Sequence, residues 1–278
     1  MSDQEIVSGV VPALPEVLAV FDEVDLMGYP FLKLQRECAE PTLFEQDHVQ
    51  IEITSPDGKP LATVWDGDLL IFLCSKLQEE IRRGREPGRW VAFKVNEFLR
   101  FTQRAKGGSG YRQTIDAIRR LSKTHVVTNI RMQSKPGKER GFSLISDYRL
   151  ETEETESGMA EVEVCNWLHS SIMSGRVLQL DRGYFRIGNP TAKAVYRVIR
   201  SRDAKGETEI GLGELQRLIG STVEPRRFKF NMRQLVRDQY GADGKKRFPG
   251  YVLDMAQDGA RRVDLLTWTE EKSYAEVI

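Results

Sequence analysis

The stretch from Ser221 to Tyr240 constrains the fold more than any other part of the chain. At 3.6 residues per turn its centre sorts into two faces. Phe228, Met232, Leu235 and Val236 share one, while Arg226, Lys229, Arg233 and Arg237 gather on the other. Such a helix docks on a core and still presents a cationic ridge outward. A shorter helical run, Leu212 to Ile219, precedes it and ends at Gly220 and a Ser-Thr-Val-Glu-Pro turn. Helix, tight turn and basic helix is the helix-turn-helix order, in which the second helix enters the DNA major groove. Tyr251–Met255 and Val263–Trp268 then read as short strands around an Asp258-Gly259 hairpin signal. A hairpin behind such a helix is a wing, so this part of the chain predicts a winged helix.

The chain has 278 residues and a formal net charge of zero, yet its charges are segregated. Residues 1–50 hold ten acidic and two basic side chains, and residues 151–163 hold six acidic and none basic. The rest therefore carries a balance of +14, which permits a basic face despite a pI near 6.9. Three cysteines, Cys38, Cys74 and Cys165, are too few and too far apart for a disulfide framework, which fits a reduced, cytoplasmic setting. The N-terminus starts acidic and its apolar run is broken by Pro12 and Pro15, unlike a signal peptide or a membrane span.

In chain order, residues 1–27 read as a flexible acidic arm. Residues 28–150 read as a first winged helix. In it, Val49–Thr54 and Leu61–Trp65 form a hairpin around Pro56-Asp57-Gly58, and Asp66 caps a helix whose stripe is Leu69, Leu70, Leu73, Leu77 and Ile81. A strand at Trp90–Phe93, a helix from Asn96 to Gln103, a Gly107–Gly110 turn and a helix from Tyr111 to Lys123 follow. His125–Met132 and Phe142–Tyr148 close the unit around a basic turn. Residues 151–158 read as an exposed acidic linker, so that proteolysis there leaves two folded fragments. Residues 159–278 then repeat the pattern as a second winged helix. Phe93 to Phe101 can be laid on Ile210 to Leu218, matching Glu97 with Glu214 and Arg100 with Arg217. The expected fold class is α+β, with two tandem, pseudo-duplicated winged-helix domains.

Enzyme signatures are missing from the sequence. There is no P-loop, no His-x-His pair, no Cys-x-x-Cys and no His-Glu-x-x-His, so neither a cofactor nor a metal is expected. Asp66 and Asp68 sit at a helix start, where capping explains them better than a metal. The cationic helix is different, because no acid offsets its basic face at i+3 or i+4, whereas solvated surface helices more often mix signs. Double-stranded DNA is therefore the expected partner. Arg226, Arg227, Lys229, Arg233, Gln234 and Arg237 are the candidates to contact bases or phosphates, since Arg pairs two acceptors on guanine and Gln pairs adenine. Lys245, Lys246, Arg247, Arg261 and Arg262 would hold phosphates from the wing. In the first unit Arg112, Arg119 and Lys123 on the helix, with Lys135, Lys138 and Arg140 in the basic turn, would add phosphate contacts or support a dimer face.

Three segments carry a family resemblance: Trp65-Asp-Gly-Asp-Leu-Leu-Ile71, Val177-Leu-Gln-Leu-Asp-Arg-Gly-Tyr-Phe185 and Gly220-Ser-Thr-Val-Glu-Pro-Arg-Arg-Phe228. Over about residues 28–268 the chain resembles the plasmid replication initiator protein A family. The resemblance implies a non-enzymatic initiator with tandem winged helices that binds repeated origin sites. It also implies recruitment of host proteins, the host initiator and replicative helicase among them, and a homodimer as a further state. Two rival functions use different chemistry or different sites. A winged-helix transcriptional repressor would share the surface, and a DNA-nicking enzyme would need a nucleophilic Tyr beside metal ligands.

Overall fold

The structure is a computed structural model that describes residues 18–56, 58–132, 138–151, 158–241, 246–260 and 263–271. The chain opens with β1 (Val20–Glu23), α1 (Val24–Gly28), β2 (Thr42–Gln46), β3 (Val49–Thr54) and α2 (Gly67–Arg82). Then come β4 (Trp90–Lys94), α3 (Val95–Phe101), α4 (Gly108–Lys123), β5 (His125–Thr128), β6 (Arg140–Ser143), β7 (Ile145–Leu150) and β8 (Met159–Val164). The second half runs through α5 (Asn166–Met173), β9 (Val177–Leu180), a 3-10 helix (Arg182–Arg186), α6 (Pro190–Asp203) and β10 (Glu209–Gly211). It ends with α7 (Leu212–Leu218), α8 (Pro225–Arg237), β11 (Tyr251–Asp258) and β12 (Val263–Glu270). The class is mixed α+β, as the sequence predicts.

One motif occurs twice. A helix (α2, α6) leads to a strand (β4, β10), then two helices (α3–α4, α7–α8), then a hairpin (β7–β8, β11–β12). In both copies the first strand pairs with the last, giving the sheet orders β4-β8-β7 and β10-β12-β11. The match of Phe93–Phe101 with Ile210–Leu218 lies in register with this repeat: it sets α3 on α7, and the same offset sets Gly108, where α4 begins, on Pro225, where α8 begins. Inward residues then coincide, Tyr111 with Phe228 and Ile115 with Met232, because both helices need the same apolar stripe against equivalent sheets.

Several expectations for the first half need correction. β2, not Leu61–Trp65, is the hairpin partner of β3, and Thr63 makes only an isolated bridge with Lys33. The apolar residues Leu61, Ala62 and Val64 are buried without alternating, as core-crossing chain rather than a half-exposed strand. The basic-turn hairpin β5–β6 joins β2 and β3 in a four-stranded sheet, order β2-β3-β5-β6, instead of closing the repeat motif. Asp66 makes no side-chain cap. Its carboxylate accepts from the Thr63 backbone N–H at 2.8 Å and from Arg120 at 2.7 and 3.0 Å.

The acidic stretch does not separate two units. β7 and β8 pair antiparallel from Ile145↔Val164 to Leu150↔Ala160, so residues 151–158 join the strands of one hairpin in the first half. Residues 152–157 lie outside the described residues. Both ends of the stretch pack on α4: the Tyr111 hydroxyl donates to the Glu151 carbonyl at 3.0 Å, and a Cβ on Gly158 would meet the Tyr111 ring at 2.4 Å. Only glycine permits that approach.

Nor is the expected arm free over its whole length. Residues 1–17 lie outside the described residues, but from Leu18 onward the chain is built into the fold. β1 pairs antiparallel with β9 of the second half, Val20↔Leu180 to Glu23↔Val177, and Leu26 and Met27 of α1 are buried. The acids of this segment are the reason it read as a solvated arm, and they are paired instead. Asp22 meets Arg197 of α6 at 2.7 Å, with exposures of 1% and 4%. Glu23 and Asp25 converge on Arg131, at 2.5 and 2.7 Å, and Arg131 lies 3.9 Å from the centre of the Trp167 ring. Burial, followed by the Asp25 charge, raises the Glu23 carboxyl to about 7.

A second clasp closes the same interface. Lys193 of α6, fully buried, reaches Asp68 of α2 at 3.0 Å and lies 4.0 Å from the Tyr184 ring centre, while Arg104 meets the same carboxylate at 2.8 Å. Burial lowers the Lys193 pKa against the opposing pull of Asp68. The residues Ala192 to Ile199 of α6 are all buried, so this helix is the shared wall between the halves. Separating them would break the β1–β9 pairing and expose the apolar side chains Val195, Tyr196, Val198 and Ile199, at about 1.5–3 kcal/mol for each large one. Cleavage within residues 151–158 should therefore nick the chain without splitting it. Under native conditions both pieces should co-elute in size-exclusion chromatography, and release of a folded 159–278 fragment would contradict this packing.

Candidate nucleic-acid interface

α8 is built from its turn outward. Gly220 ends α7 with φ +65, a left-handed conformation that favours glycine, and Gln216 donates to the Val223 carbonyl at 2.6 Å to fix the turn. Glu224 caps α8 by accepting from the Arg227 backbone N–H at 3.1 Å, and Pro225 fits the first turn. Phe228 and Met232 are each 1% exposed, and burying such side chains contributes about 1.5–3 kcal/mol apiece. Leu235 and Val236 pack at the core edge. This anchorage sets the direction of every other side chain on the helix.

The outward side carries Arg226, Arg227, Arg233 and Arg237, all exposed. Arg226, Arg233 and Arg237 have no ion-pair partner among the described residues. Phe230 stands on the same side, 47% exposed, with the Arg227 guanidinium 5.0 Å from its ring centre. Lys229 is partly neutralised by an acid that helix periodicity does not reveal: Asp264 of β12 lies 2.6 Å from its ammonium. That pair ties the helix to the hairpin. Gln234 is half-buried on the flank, where it lines a groove.

The helix ends at Arg237, earlier than the expected Tyr240, because Gln239 turns back to the hairpin. Its side chain accepts from the Leu253 N–H at 2.8 Å and donates to the Leu253 carbonyl at 2.9 Å, copying a strand partner. Arg247 is exposed beside this junction, and Lys246 pairs with Glu271. Lys245, Arg261 and Arg262 lie outside the described residues. In the hairpin β11–β12 the register runs from Tyr251↔Glu270 to Asp258↔Val263, with the turn where Asp258-Gly259 places it.

The equivalent face of α4 is weaker. Arg112, Arg119 and Lys123 are exposed, but Asp116 takes the place that Arg233 holds in α8 and lies 3.7 Å from Arg119. Lys138 and Arg140 are exposed on and beside β6, in the four-stranded sheet, and so belong to a different element from the α4 face. Lys135 lies outside the described residues. Among the described residues no cluster of three or more His, Cys, Asp or Glu could hold a metal, and no helix is long and apolar enough to cross a membrane.

Known proteins share this architecture. The fold is similar to that of domains 2 and 3 of RctB, with a TM-score of 0.66 and 14% identity over 90% of this chain and 98% of that one. A second structure of RctB domains 2–3 matches at a TM-score of 0.54 and 16% identity, covering 89% of this chain and 96% of that one. In sequence, the chain is 28% identical over 221 residues to a protein of Wigglesworthia glossinidia brevipalpis named "Putative replication protein", covering 78% of this chain and 80% of the relative. The family described as Replication initiator protein A matches residues 21–253. That span runs from within β1 through the first copy of the repeated motif and the second as far as the start of β11, and the chain belongs to the replication initiator protein A family.

Proposed function

We propose that this chain is a plasmid replication initiator that binds repeated double-stranded DNA sites at an origin and recruits host replication proteins without catalysing a reaction itself. Each copy of the repeated motif acts as a winged helix, with α7–α8 as the helix-turn-helix of the second. α8 enters the major groove and the β11–β12 hairpin lies along the backbone as the wing. The observation that carries this reading is the exposed trio Arg226, Arg233 and Arg237, without an ion-pair partner among the described residues, on a helix whose opposite side is fixed in the core. The first unit, with Asp116 on its α4 face, grips a neighbouring groove more weakly or supports a dimer. Membership of the initiator family supports the same reading.

Salt tests it. If the helix, wing and first unit together neutralise about six phosphates, log K should fall with log salt at a slope near −5, from counterion release. Titration of a labelled duplex between low and moderate salt reads that slope. A slope near zero would remove the cationic face from the account.

A further inference from the structure

Of the twelve phenylalanines, Phe230 alone is exposed, at 47%. A single apolar side chain at a surface is ordinary, but the position of this one is not. At about 100° per residue along α8, Phe230 falls inside the arc of roughly 60° that holds Arg226, Arg233 and Arg237. It stands about 160° round the axis from Phe228 and from Met232, the two buried side chains that anchor the helix. The ring therefore lies opposite the core, with the Arg227 guanidinium 5.0 Å from its centre.

A surface that covers this arc must bring anionic groups to the three arginines and an apolar group between them to the ring. The DNA major groove meets both demands at thymine. Phosphates border the groove, and the base edges within it offer hydrogen-bond donors and acceptors, with the thymine C5-methyl as the apolar exception. We propose that Phe230 packs on a thymine C5-methyl and makes T a selected base of the site, a reading that rests on α8 entering the major groove. Spacing places that thymine. Phe230 and Arg233 are three residues apart, a rise of about 4.5 Å along the helix, against about 3.4 Å between stacked bases. With the helix lying along the groove, the thymine falls about one base pair from the pair that Arg233 contacts. A protein partner of matching chemistry would instead need carboxylates around an apolar pocket, and DNA binding would then be indifferent to Phe230.

The test starts from duplexes that the full-length chain selects from a random pool. The enriched site is resynthesised with each thymine in turn replaced by deoxyuridine, which removes only the methyl group. One position should cost about fourfold in affinity, the loss expected when one methyl group is withdrawn from apolar contact. In Phe230→Ala the same replacement should cost nothing, and in Phe230→Leu, which keeps an apolar side chain there, part of the effect should return. Because the ring is exposed, both variants should keep the wild-type urea midpoint. No deoxyuridine cost at any position, or a cost that survives in Phe230→Ala, would overturn the proposal. Equal affinity of Phe230→Ala and wild type would overturn it too, as the result expected of a ring that faces a protein. Arg233→Ala, measured beside them, separates two failures: if it still loses affinity, α8 enters the groove and only the thymine contact falls. A chain that enriches no duplex would remove the helix assignment and the thymine contact together.

Discussion

Replacing Arg197 with Met should destabilise the chain by about 3–5 kcal/mol, the usual cost of leaving one member of a buried ion pair alone. The 2.7 Å bond that pins β1 to α6 would be lost, and Asp22 would then keep its charge at 1% exposure or take up a proton. Burial already raises the Asp22 pKa, with Arg197 the main force opposing it, so the variant carboxyl should titrate higher still. The loss should be read as a lower urea midpoint, and in the double variant Asp22→Leu/Arg197→Met it should largely disappear, because an apolar pair of similar volume carries no desolvation cost. A loss below about 1 kcal/mol for the single variant would mean the pair is solvated and the halves are not clasped there.

The second large effect concerns binding. Arg233→Ala should cost one to two decades of affinity for a cognate duplex, since a bidentate Arg–guanine contact is worth about 1–3 kcal/mol of discrimination. The structure sharpens the choice of residue. Lys229 is engaged by Asp264 and Arg227 lies over Phe230, while Arg233 is exposed, has no ion-pair partner among the described residues, and lies within one helical turn of Met232, Leu235 and Val236, whose packing fixes its direction. Stability should barely change, as an exposed Arg contributes little packing. Titrations against cognate and scrambled duplexes at one salt concentration distinguish reading from anchoring: equal losses on both would demote Arg233 to a phosphate contact.

What the sequence made legible is what local chemistry dictates. The α8 stripe, the Gly220 turn and the Asp258-Gly259 hairpin each follow from residues within a few positions of one another, and all are present. The internal match was legible because both copies must bury the same stripe against a sheet closed in the same order. The misreadings share a different cause. Asp22, Glu23 and Asp25 read as a solvated acidic arm because their cationic partners, Arg197, Arg131 and Arg176, lie more than a hundred residues away and leave no periodic trace. Asp66 and Asp68 stood at the start of a helix and read as caps, yet Arg120, Arg104 and Lys193 claim them. The acidic run at 151–158 has linker composition, but a hairpin connection selects for the same polar residues. For the candidate interface, the helix face was legible and its neutralisation at Lys229 was not, because Asp264 arrives from another strand.

These long-range pairs bear on function as well as stability. Buried clasps through Asp22 and Asp68 hold the two repeated units in one relation, so two DNA contacts made by one chain should fall at one spacing. Selection from a pool of random duplexes, followed by sequencing of the bound fraction, tests this most directly. The account predicts an enriched site with two parts at a fixed separation, the stronger part losing one base preference in Arg233→Ala. A bound pool with no enriched sequence, or enrichment that Arg233→Ala leaves untouched, would contradict the assignment of α8 as the helix that reads DNA.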